Sequence, residues 1–189
     1  MFRAFLFGLL FSTVSVVSNA AENDNPVVVM TTTKGDIVIE LWANEAPKTV
    51  ENFLRYADNK LYDNLIFHRV IPGFMIQGGG YDADLVELSG YAPIENEARP
   101  MLKNNRGTLA MARTNVVDSA TSQFFINLVD NDYLNQRGTS PSEFGYAVFA
   151  EVIEGMDVVD AIAAVPTTAR RQHQNMPIEP VMILSVTRR

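Results

Sequence analysis

Leu65-Ile66-Phe67-His68-Arg69-Val70-Ile71-Pro72-Gly73-Phe74-Met75-Ile76-Gln77-Gly78-Gly79 is the stretch on which the reading of this chain turns. Two apolar runs, Leu65 to Val70 and Phe74 to Gly78, are split by Pro72-Gly73, a pair that stops a helix and favours a turn, so the stretch reads as two strands. Arg69 is its odd member. Arginine is rarely buried without a partner, yet here Ile66, Phe67, Val70 and Ile71 surround it and the nearest acid in sequence is Asp63. Either the side chain snorkels to the rim or pairs with a distant carboxylate, or it is a cation held beside an apolar pocket. By the two-residue period of a strand, Met75 and Gln77 share one face, as do Gln123 and Phe125 further along, so a groove with an apolar floor and amide side chains is available.

Outward from that block the chain continues mostly as strands. Val27 to Thr32 is β-branched; Lys34-Gly35 makes a tight turn, and Ile37, Ile39 and Leu41 alternate with other residues, which makes a hairpin. Pro47 is placed to open a helix, and Val50, Phe53, Leu54, Ala57 and Leu61 fall on one buried stripe behind it. Gly107 to Arg113, Ser122 to Leu128, Tyr146 to Val152 and Val181 to Val186 read as short strands, and Gly155 to Val165 as a second helix. Gly78-Gly79-Gly80 reads as a bend. Strands outnumber helices and do not alternate with them, which argues for a barrel or sandwich with helices over its open ends and against a doubly wound α/β sheet.

The whole chain has 189 residues, 47% apolar and 20% charged, with no cysteine and a net charge of −7. That excludes a disulfide scaffold and a thiolate metal site, and the negative sign disfavours nucleic acid as a partner. Met1 to Ala21 has the build of an export signal: Arg3, an apolar run from Ala4 that is too short to span a membrane, and small residues Ser18 and Ala20 ahead of a cleavage expected after Ala20. The expected organisation is a signal peptide over 1–20, a polar leader over 21–26 and one domain over 27–189.

Familiar chemistries fail on residue supply. His68 in an apolar strand and His173 in a basic, polar loop are far apart, with no carboxylate at ligand spacing, so no metal site is expected. There is no Gly-x-Ser-x-Gly elbow, and Ser119 and Ser122 have only a partnerless His68 as a base, which argues against a hydrolase. The three glycines lack the Lys-Ser/Thr ending of a phosphate loop. Glu95 and Glu97, beside Arg99, read as solvated loop acids.

The block from Phe67 to Gly79, with Ser122-Gln123-Phe124-Phe125-Ile126 and Phe144-Gly145-Tyr146-Ala147-Val148-Phe149, resembles the cyclophilin family of peptidyl-prolyl cis-trans isomerases. The resemblance runs from the Lys34-Gly35 hairpin, through Pro47-Lys48-Thr49-Val50-Glu51-Asn52-Phe53, to Pro180-Val181. It implies a mainly β fold, a closed eight-stranded antiparallel β-barrel capped by two α-helices. It also implies that Arg69 is the catalytic arginine, that Phe74, Met75, Phe125 and Leu134 line a proline pocket, and that Gln77, Gln123 and the backbone of Ala112 and Arg113 hold the substrate chain. No cofactor is implied.

Three positions depart from the family's eukaryotic pattern and are similar to its exported bacterial branch. Tyr133 stands where a tryptophan contributes to cyclosporin binding, Tyr146 where a histidine borders the pocket, and Arg113 where asparagine is usual, which leaves a main-chain contact but puts a side-chain role in doubt. Asn135 to Glu143 reads as a lengthened loop near the pocket. The implied partners are proline-containing polypeptides, unfolded or partly folded exported proteins, met by a monomer in the periplasm; the ending Thr187-Arg188-Arg189 carries no retention tetrapeptide. The alternative of another class is a non-catalytic proline-peptide binding module on the same barrel, for which a cation beside the ring has little use.

Overall fold

In the computed structural model the described residues are 25–189, so the expected signal peptide lies outside them. Asn25 and Pro26, the end of the expected leader, already bond to the domain: Asn25 donates to Glu40 Oε1 at 3.0 Å, and the Leu41 amide donates to the Pro26 carbonyl at 2.8 Å.

The chain runs β1 (Val27–Thr32), β2 (Gly35–Leu41), α1 (Pro47–Asp58), β3 (Leu65–Ile71), β4 (Met75–Asp82), β5 (Thr108–Met111), β6 (Phe124–Asn127), a 3-10 turn (Asp132–Leu134), β7 (Val148–Glu154), α2 (Met156–Ala163), β8 (Thr167–Arg170), β9 (His173–Pro177) and β10 (Ile183–Arg188). Eight strands form one antiparallel sheet in the order β10-β1-β2-β7-β5-β6-β4-β3. Its two ends meet where the Phe67 amide donates to the Val181 carbonyl at 3.0 Å and the Asn64 amide to the Ile183 carbonyl at 2.8 Å. The barrel is therefore nearly closed, which leaves little free edge to pair with another chain.

Alternation along the strands creates two apolar regions. Ile76, Ile126 and Leu109 turn into the barrel interior, where Phe53 of α1 meets Tyr62, Phe124 and Phe149 at centroid distances of 5.1, 5.7 and 5.3 Å. Their neighbours Met75, Phe125 and Ala110 turn to the other face and form a second cluster with Val148. The stripe expected on α1 is the buried one, through Val50, Phe53, Leu54 and Ala57.

Three sequence expectations need correction. Gly78-Gly79-Gly80 is no bend but part of β4, with Gly78 paired to both Phe67 and Phe124. The glycines make room: a Cβ on Gly79, at φ +79°, would sit 2.9 Å from the Ser122 carbonyl oxygen, and one on Gly80 would sit 2.5 Å from Gln123 Cδ. Glu97 is not a solvated acid. It accepts the Thr49 amide and hydroxyl, both at 2.8 Å, and the Lys48 amide at 3.2 Å, so a loop carboxylate caps the first turn of α1, which has no side-chain cap at Ala46. Glu95 is exposed, as expected, and pairs with Lys48 at the surface. Finally, the segment that carries His173 is a β8–β9 hairpin packed on β3, and it brings His173 to 6.1 Å from His68, ring to ring, with Tyr81 4.9 and 4.7 Å from the two. Among the described residues no group of three or more His, Cys, Asp or Glu side chains could hold a metal ion.

Candidate active site

The site is a row across the sheet. Arg69 of β3 is in register with Gln77 of β4, Gln77 with Phe125 of β6, Phe125 with Ala110 of β5, and Ala110 with Val148 of β7. Register thus sets a guanidinium, an amide and an aromatic ring side by side on one face, with a small and a β-branched residue continuing the row.

On this row lies a cavity of about 200 Å³. Its wall takes Arg69, Met75, Gln77 and Phe125 from the strands, and Phe74 from the turn before β4. Ala112 and Arg113 follow β5, Leu134 closes the 3-10 turn and Tyr146 precedes β7. The volume suits one side chain rather than a whole small-molecule ligand. Phe125 and Tyr146 meet edge to face at 5.5 Å, which fixes the corner of the pocket.

Arg69 Nη1 donates to Gln77 Oε1 at 3.3 Å, and Gln77 Nε2 donates in turn to Gln123 Oε1 at 2.9 Å. The guanidinium carbon lies 6.0 Å from the Phe74 ring centre. Among the described residues no carboxylate forms a salt bridge with Arg69, so the distant-acid pairing left open by the sequence is absent there. The cation is steered by a neutral amide, which aims it without cancelling its charge.

The structure assigns different places to the other expected site residues. Gln123 lies off the cavity wall, because its side chain runs across Gly80 to reach Gln77; it touches the site through Gln77. Tyr133 is 60% exposed and packs on Phe74 at 5.8 Å, so it stands behind the wall rather than in it. The Ala112 amide donates to the Gln123 carbonyl at 2.9 Å. The Arg113 side chain, doubted from the sequence, has a clear task. It donates to the carbonyls of Gly145, Thr114 and Pro141, each at 2.9 Å, and lies 5.0 Å from the Tyr146 ring, so it ties the loop ahead of β7 to the cavity wall.

Trp42, Ile71 and Leu102 also pack against the cluster beneath the cavity and were not anticipated. Trp42 had a signal, being the only tryptophan of the chain. Leu102 had none, since it sits in a long irregular segment.

The profile of the family described as cyclophilin type peptidyl-prolyl cis-trans isomerase/CLD matches residues 27–188. The chain is 56% identical over 162 residues to a peptidyl-prolyl cis-trans isomerase of Acinetobacter baylyi, covering 86% of this chain and 85% of that protein. It is 55% identical over 161 residues to peptidyl-prolyl cis-trans isomerase B of Escherichia coli, covering 85% and 98%. A crystal structure of a Cryptosporidium parvum cyclophilin type isomerase, obtained in the presence of the dipeptide Ala-Pro, superposes with a TM-score of 0.71 at 28% identity, covering 86% of this chain and 98% of that one. With a profile match across almost all of its described residues and relatives of this similarity, the chain belongs to the cyclophilin family and is a peptidyl-prolyl cis-trans isomerase.

Proposed function

We propose that the cavity takes the prolyl ring of an X-Pro segment, that Arg69 stabilises the twisted amide, and that the clients are exported proteins folding in the periplasm, met by this chain as a monomer. One observation carries the site assignment: Arg69 stands on the wall of an apolar cavity, bonded to an amide and to no carboxylate among the described residues.

Rotation about a peptide bond is opposed by about 18–20 kcal/mol because it breaks amide resonance, and for X-Pro it takes tens to hundreds of seconds unaided. No bond is made or cut. As the amide twists, the prolyl nitrogen regains a lone pair that the planar state does not offer, and it pyramidalises. A donor aimed at that nitrogen binds the twisted state in preference to either planar one, and only such differential binding raises the rate. One charge-assisted hydrogen bond contributes roughly 1.5–3 kcal/mol, on the order of ten- to a hundredfold. The rest is assigned to Phe74, Met75, Phe125 and Leu134, which strip water from the amide and grip the ring, while Gln77 and the Ala112 carbonyl hold the flanking chain. A module that only gripped proline would gain little from an unneutralised guanidinium. The Ala-Pro dipeptide present with the C. parvum relative supports a proline-sized site in this fold.

Export is supported by the build of Met1 to Ala21 alone. Two experiments test the proposal. Residues 21–189 added to an X-Pro peptide should accelerate cis-trans exchange in two-dimensional NMR and shift the amides of Phe125 and Tyr146; acceleration with those amides unmoved would put the reaction elsewhere. Residues 1–26 fused to alkaline phosphatase, an enzyme that becomes active only where its disulfides form, should give periplasmic activity in a bacterium, and an inactive fusion retained in the cytoplasm would remove the localisation.

A further inference from the structure

Behind the cavity lies a set of buried carboxamides that the mechanism above does not use. Asn104, Asn127, Asn131 and Asn135 are each at most 5% exposed. Burying an amide is unfavourable unless its donors and acceptors are met, so four in one place require a connected network. They form one. Asn131 Nδ2 donates to Asn127 Oδ1 at 2.8 Å; Asn127 Nδ2 donates to Thr108 Oγ1 at 3.0 Å and faces Asn104 Oδ1 at 3.4 Å; Asn104 donates through its amide and its Nδ2 to Asn135 Oδ1 at 2.7 and 3.1 Å.

Asn131 connects this network to the pocket. Its Nδ2 spends its second hydrogen on the Phe74 carbonyl at 3.0 Å, its backbone carbonyl accepts the Leu134 amide at 2.9 Å, and the Leu134 carbonyl accepts the Tyr146 amide at 3.1 Å. Phe74, Leu134 and Tyr146 all line the cavity, and they come from three separate segments of chain. Phe74 lies 57 residues before Asn131, so no local turn ties the two together. We infer that Asn131 is a positioning residue for the isomerisation: its buried amide group sets the spacing of the Phe74 and Leu134 walls, and through Leu134 that of Tyr146, to the width of a prolyl ring. It touches no substrate. Its effect is expected on ring binding, because Arg69 hangs from β3 and is aimed by Gln77, outside this network.

The inference rests on the proline-pocket assignment proposed above. Asn131→Ala removes both donated hydrogen bonds, while Phe74 keeps the Leu128 amide at 3.0 Å on its carbonyl, so the fold has a remaining tie. The full set is Asn131→Ala, Asn135→Ala, Phe125→Ala as the test of the pocket itself, and Val159→Ala as a core change under α2, remote from the cavity. KM and kcat are read from exchange NMR on an X-Pro peptide at a temperature where each variant is fully folded. Asn131→Ala should raise KM about tenfold with kcat within about threefold, Asn135→Ala should raise KM less, and Val159→Ala should melt lower with KM unchanged. If Phe125→Ala raises KM while both asparagine variants keep the parent KM, or if Val159→Ala raises it equally, the inference is overturned and the pocket stands. If Phe125→Ala leaves KM unchanged, the pocket assignment falls, and this inference with it.

Discussion

His68 and Arg69 are neighbours in β3, and their surroundings treat their charges in opposite ways. Arg69 stands at a cavity, steered by Gln77, with no carboxylate paired to it among the described residues. His68 is 4% exposed, packed against Tyr81 and His173, and its Nδ1 has no hydrogen-bond partner among the described residues. Burial, and then the neighbouring His173, push its pKa down from 6.5 to about 4. One strand therefore keeps one basic side chain charged and available and holds the next one neutral. Sequence position alone does not distinguish a working cation from a packing group; what lies across each side chain does.

The largest effect should come from removing the aromatic ring that shares the cavity with Arg69. Phe125 is 4% exposed, and Phe125→Ala should cost ~3–5 kcal/mol of stability as well as a large rise in KM, read by denaturant melts and exchange kinetics. If the variant retained full activity, the cavity would not be the ring site.

The next effect belongs to His68. Its folded pKa lies below its unfolded one, so as pH falls the unfolded chain takes up the proton first. This contribution to stability is intact above about pH 6.5 and is lost on the way down to about pH 4, amounting to about 3 kcal/mol. The total change in unfolding free energy across that window should differ between the parent and His68→Leu by this amount. Turnover should not follow the same curve while the chain stays folded, since His68 does not line the cavity. A parallel pH slope in both proteins would show that His68 is not held neutral.

The smallest effect concerns aim. Gln77→Leu takes away the acceptor that steers Arg69 and the donor to Gln123, and should lower kcat about five- to tenfold, near 1 kcal/mol, with the cation still present. An unchanged kcat would mean that the guanidinium needs no guide.

Most of the barrel was legible because its strands obey the two-residue period and its first helix carries one stripe: Ile37, Ile39 and Leu41, then Val50, Phe53, Leu54 and Ala57, are buried as their spacing predicts. Elements without that contrast were missed. β8 and β9 are largely exposed and polar, with Met176 and Pro177 buried next to each other at the end of β9, so no alternation marks them. Gly78-Gly79-Gly80 has no side chains to alternate, and the need for glycine at Gly79 and Gly80 comes from Phe124 and Gln123, some 40 residues on. Glu97 looked solvated because its partners on α1 are 48 and 49 residues away. The same limit holds at the site. The residues that line the cavity could be named from motif, but the Gln123 side chain crossing Gly80, the Arg113 ties and the buried asparagines depend on approaches that only the folded chain brings about.

The most direct measurement is exchange NMR on one X-Pro peptide with the parent and Arg69→Ala, at enough substrate concentrations to separate kcat from KM. Arg69→Ala should lower kcat ten- to a hundredfold with KM within about threefold, because the guanidinium binds the twisted amide and not the planar one. An undiminished kcat, or a loss confined to KM, would contradict this expectation.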